Sequence, residues 1–164
     1  MKVVKLIQDP LYLKRQKVTD VKEHQVPSLM VHIKSMVVLC RKNSLGSMCA
    51  TEAGLPYNFF VAENPDPRDP DYDVVFQPTV IPVINDGQKM IEELGVNGKT
   101  YKVRRWRKVR MSWLYHNGHT FEEKSGEFEG EVAYIAQRLS DRLGGLYVGP
   151  DTDHEVVTIQ TQVQ

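Results

Sequence analysis

Residues Thr100 to Gly130, "TYKVRRWRKVRMSWLYHNGHTFEEKSGEFEG", constrain this chain most. Polar and apolar residues alternate on either side of Asn117-Gly118, a dipeptide that favours a two-residue β-hairpin turn. The segment that follows, "EVAYIAQRLSDRLGG", changes to the helical period and stops at Gly144-Gly145. A long hairpin succeeded by a helix places the chain in the α+β class.

The remaining elements agree with that class. From Pro27 to Arg41, Leu29, Met30, Ile33, Met36, Val37 and Cys40 form a helical stripe behind an N-terminal proline. "LPYNFFVAE" reads as a strand, and "NPDPRDPDYD" as a loop of turn-forming residues. "DVVFQPTVIPVI" is strand-like, with Pro78 and Pro82 arguing for edge pairing or breaks. "KVVKLIQDP" is a short β-branched run, and the tail "HEVVTIQTQVQ" alternates as a terminal strand does. The 21 basic and 21 acidic residues balance, so no global field recruits nucleic acid or a membrane surface. Two cysteines make no disulfide framework and suggest a reducing compartment. No apolar run near the start is long enough for a signal peptide or membrane span. A cytoplasmic protein is the expectation, or a virion protein if the gene belongs to a phage.

Four stretches, taken in order, resemble peptide deformylase, the enzyme family that removes the N-formyl group from new bacterial-type proteins. "LIQDPLYLKRQKVTDV" looks like the family's opening. "SMCATEAG", Ser47 to Gly54, is similar to its first motif, G-L-A-A-x-Q-x-G, and "FQP" to its N-P strand. The hairpin and the helix after it match the family's long hairpin and motif helix in register. Arg105 falls where the family carries a strand arginine, and Gly145-Leu146-Tyr147 where it carries G-x-L-[FY]. The resemblance implies an α+β fold with antiparallel or mixed sheets around a central motif helix. It assigns residues 1–148 to one deformylase-like domain and 149–164 to a tail, a candidate strand or interaction arm.

The resemblance also implies a divalent metal held by the cysteine of E-G-C-L-S and the two histidines of H-E-x-x-H, whose glutamate moves the proton. The glutamine of the first motif would help hold the oxyanion. This chain departs at each such position. "EELGVNG" has no cysteine, so Gly95 (or Leu94) stands at that ligand position. Arg138 and Arg142 replace the histidines, Leu139 the general base, and Glu52 the glutamine, while Ser47 opens the altered first motif. A protonated guanidinium has no lone pair to give a metal, and leucine transfers no proton. The sequence therefore predicts no metal or other cofactor and a catalytically inactive domain. On this reading it serves as a structural or protein-interaction module, a pseudoenzyme in a phage or other multi-chain assembly, with other protein chains as partners. A second reading is a remodelled cleft that binds an anionic ligand or peptide, and a third is a divergent metal-dependent deformylase. If the fold is kept, Glu52, with Glu92 or Glu93, is expected to pair with Arg138 and Arg142 in the metal's place. The alternative is that both arginines reach solvent from a remodelled helix.

Other features carry weaker signals. His116 and His119 flank the hairpin turn without a third ligand, and Cys40 and Cys49 read as buried small hydrophobes. "KVRRWRKVR" packs six basic residues around Trp106. As one strand it would put Arg104, Trp106 and Lys108 on one face and Arg105, Arg107 and Val109 on the other. Arg104, Arg105, Trp106 and Arg107 are thus a candidate protein-contact surface, favoured over nucleic-acid binding, together with the Asp66–Asp73 acidic loop and the tail.

Overall fold

A computed structural model describes residues 5–7, 12–13, 16–64, 68, 71–83, 89–96 and 99–147, and gives the backbone alone for 89–96 and 99–100. The expected tail and most of the acidic loop lie outside the described residues, as does most of the opening β-branched run. The elements are α1 (Val26–Lys42), β1 (Ser47–Cys49), β2 (Phe59–Glu63), β3 (Tyr72–Pro82), β4 (Lys89–Val96), β5 (Lys99–Trp106), β6 (Lys108–His116), β7 (Phe121–Glu129) and α2 (Glu131–Leu143). Five strands form one sheet in the order β1-β2-β3-β6-β7, and β4 and β5 form a separate pair. The α+β expectation holds. Among the described residues, no helix is long and apolar enough to cross a membrane.

The described residues fall into two compact units, those of 1–78 with 113–124 and those of 79–112 with 125–164. In the first unit α1 buries Val26, Leu29, Ile33, Met36 and Cys40, a single stripe at helical spacing. Pro27 sits in the first turn, where its missing N–H is not needed, and Arg41 and Lys42 face the negative end of the helix dipole. The stripe packs on Met48, Phe59, Val61 and Phe76 of the sheet, with the Phe59 and Phe76 rings 5.4 Å apart. Each such aromatic contributes about 2 kcal/mol by leaving water.

The Cys40 and Cys49 thiols are both fully buried. Burial, then the charge of Glu52, raises the Cys40 thiol from 9.0 to about 11. The folded chain thus holds this proton more tightly than the unfolded chain. Stability is expected to fall as pH rises from 9 towards 11, because only the unfolded state gains from ionisation in that window. Urea midpoints at about pH 8 and about pH 10.5 check this: Cys40→Ala should lower both but flatten the difference.

Two strand expectations need correction. β3 is an interior strand, not an edge, and it continues through both prolines. The prolines are tolerated because β2 pairs only with Tyr72 to Phe76, so Pro78 and Pro82 lie past the end of that neighbour. Gln77 makes the transition with φ 47, and its amide accepts Val21 N–H at 3.1 Å and donates to Val21 O at 3.0 Å. The turn at Asn117 is also wider than two residues. His116 ends β6 and Phe121 begins β7, and the Asn117 carboxamide oxygen accepts both His119 N–H and Thr120 N–H at 2.9 Å. That side chain stands in for a backbone turn. The pairing of β4 with β5 runs to Val96 opposite Lys99. "LPYNFFVAE" is strand only from Phe59, and Asp73, placed in the loop by sequence, belongs to β3.

The basic run is not one strand either. Arg107 is a bend between β5 and β6, so the alternation resets there. Arg105 and Trp106 are consequently both buried, at 0% and 5% exposure, while Arg104 and Arg107 are exposed. The four residues do not form one contact face.

Candidate functional site

The motif helix α2 begins after Gly130 (φ 65) and ends at Gly144, followed by Gly145 at φ 85. A left-handed residue costs glycine little, and here it turns the chain so that Leu146 N–H reaches Asp141 O at 2.8 Å. Two side chains four apart dock this helix on β5. The Gln137 amide accepts Trp106 N–H and donates to Trp106 O, both at 2.8 Å, which continues the strand's pairing with a side chain. One turn on, Asp141 pairs with Arg105 at 2.5 Å in a site where the arginine is fully buried. Neither group would be stable there alone, since an unpaired buried charge costs several kcal/mol.

Arg138 and Arg142 each follow one of these anchors by one residue, so they share the adjacent face. Both are half-buried. Leu139 between them is fully buried and belongs to the hydrocarbon interior. On β4, Gly95 pairs with Thr100 and Glu92 with Val103.

The first motif belongs to the first unit. Ser47 starts β1 and is half-buried. A 3-10 turn, Ala50–Ala53, follows and closes at Gly54 with φ 78, where an added Cβ would lie 3.3 Å from Ile7. Glu52, also half-buried, turns its carboxylate back onto the Cys49 N–H at 3.1 Å, as the acidic residue of a capping box does. Glu52 belongs to the first unit, and Glu92, Arg138 and Arg142 to the second.

The donor set does not fit the metal that the resemblance implied. Guanidinium, leucine and glycine offer no ligand at the positions concerned. Among the described residues, no three His, Cys, Asp or Glu side chains are grouped to hold a metal ion. His116 instead uses Nδ1 to accept Gly118 N–H at 3.2 Å and sets its ring edge-on to Phe121. No metal-dependent step is derived for this chain.

The model of the family described as polypeptide deformylase matches residues 1–154. The chain belongs to the polypeptide deformylase family. Solved deformylases share its fold. That of Thermotoga maritima has 18% identity and a TM-score of 0.72, covering 88% of this chain and 94% of that one. The class I type b enzyme of Acinetobacter baumannii, bound to Met-Ala-Ser, has 16% identity and a TM-score of 0.71, covering 94% and 98%. The Legionella pneumophila enzyme has 18% identity and a TM-score of 0.72, covering 98% and 92%. No curated protein matches the sequence.

Family membership overturns the expectation that this chain is not an enzyme, because the family that matches nearly its whole length is one of enzymes. That expectation was drawn from one ligand scheme at a few positions. The fold as a whole is that of the solved deformylases. The virion and assembly role expected from the sequence has no counterpart in the three similar structures, which are bacterial deformylases.

What the sequence missed is the docking of α2. Gln137, Asp141 and Arg105 are each recognisable as family residues, but their pairing joins positions more than thirty residues apart.

Proposed function

We propose that this deformylase-family chain binds a short peptide and receives an anionic group of it, a carboxylate, on Arg138 and Arg142. The observation that carries the reading is the anchoring of α2. Gln137 and Asp141 fix the helix one residue before each arginine, so both guanidiniums leave a held backbone on one face. Guanidinium meets carboxylate through two parallel N–H bonds, which rewards a preset orientation. Leu139, buried between the two arginines, gives this part of the helix an apolar interior. The peptide class is supported by the similar Acinetobacter deformylase, which holds Met-Ala-Ser.

Calorimetric titration tests this with Met-Ala-Ser and with its C-terminal amide. The free carboxylate is expected to bind about tenfold more tightly, the order of one charge-assisted bidentate pair. Arg138→Gln with Arg142→Gln should remove that preference. Equal binding of acid and amide by the unaltered chain overturns the reading.

A further inference from the structure

A groove of about 550 Å³ lies wholly within the first unit, between the first turns of α1, the start of β3 and the end of β6 with its turn. It uses none of the motif-helix residues. Its floor is apolar: Phe76 is buried, and Met30 and Val74 are half-buried. Its rim is acidic, formed by exposed Asp71 and Asp73. Aromatic rings make the walls. Tyr72 donates its hydroxyl to Leu45 O at 2.6 Å, so the ring is held, and Tyr115 is 45% exposed.

We infer that this groove docks a basic peptide segment. One arginine side chain of the segment lies along the Met30–Val74–Phe76 floor and brings its cation to Asp71 and Asp73. The first support is charge complementarity, since an apolar trough with a carboxylate mouth matches a side chain with a hydrocarbon stem and a cationic head. The second comes from what the walls already hold. The Arg41 guanidinium sits 5.6 Å from the Tyr72 ring centre and 3.7 Å from Asp71, and the Lys124 ammonium sits 5.6 Å from the Tyr115 ring centre. Both rings thus receive a cation in this structure, and one of those cations shares a rim carboxylate. Aromatic faces attract cations through the ring quadrupole, and a fixed wall lowers the ordering cost of binding.

The test uses the full chain and a labelled, end-blocked pentapeptide with one central arginine, followed by fluorescence anisotropy at low salt. A second peptide carries citrulline, which keeps the shape and removes the charge. The arginine peptide is expected to bind about tenfold more tightly than the citrulline peptide. Asp71→Asn with Asp73→Asn, at exposed positions that leave the core untouched, should weaken it about three- to tenfold. Amide NMR shifts should centre on Met30, the start of β3 and the Tyr115–Gly118 segment. Absent binding, equal binding of the two peptides, equal binding by the double variant, or shifts centred on α2 would each overturn the inference.

Discussion

Asp141→Ala is expected to destabilise the chain by about 3–5 kcal/mol, the usual cost of stranding one member of a buried ion pair. For a chain of this size that lowers Tm by on the order of 10 °C. The reason is the position of Arg105, whose guanidinium has no exposed surface. With Asp141 gone, the guanidinium loses its carboxylate at 2.5 Å and must be desolvated without it. Arg105→Met should cost a similar amount from the other side, by leaving the carboxylate of Asp141 in a 7%-exposed site. The double variant Arg105→Met, Asp141→Leu removes both charges and is expected to recover most of the loss, since apolar replacements of buried pairs are often neutral. Thermal or urea unfolding of the three variants closes this cycle. Two single losses that simply add in the double variant would show that the pair is not the unit holding α2.

Parts of this architecture can be read from sequence because they are periodic. The α1 stripe from Val26 to Cys40 and the α2 stop at Gly144-Gly145 match the structure to within a residue, since local spacing alone determines them. The β3 prolines were misjudged because edge or interior is set by a neighbour, and here β2 ends opposite Phe76. The width of the turn at Asn117 was hidden because it depends on the asparagine side chain, whose oxygen accepts the His119 and Thr120 N–H groups. Burial of Arg105 was likewise hidden, because it is one of six basic residues between Lys102 and Arg110 and its partner lies on the later helix. Gln137 and Asp141 hold the motif helix in place, and Arg138 and Arg142 stand beside them on the adjacent face.

That division makes the helix face itself testable. Arg138→His with Arg142→His places two imidazoles one helical turn apart on the face now carrying the guanidiniums. Neutral imidazole is a good ligand for zinc or nickel, so the variant should gain a metal response that the unaltered chain lacks at the same metal concentration. At about a hundred times the dissociation constant, binding to the folded form alone adds about 2.7 kcal/mol, or a Tm rise of several degrees, reversed by chelator. The response should fade below about pH 6, where both histidines protonate and cease to be ligands. Leu139 is left in place deliberately: a carboxyl at a fully buried position would remain neutral or cost several kcal/mol to ionise. The same variant, titrated at about pH 8 without metal, should also lose the preference for free over amidated Met-Ala-Ser, because neutral imidazole does not replace guanidinium at a carboxylate. A folded variant with no metal-dependent Tm would show that positions 138 and 142 do not present one accessible face, and would remove the basis for an anion held between them.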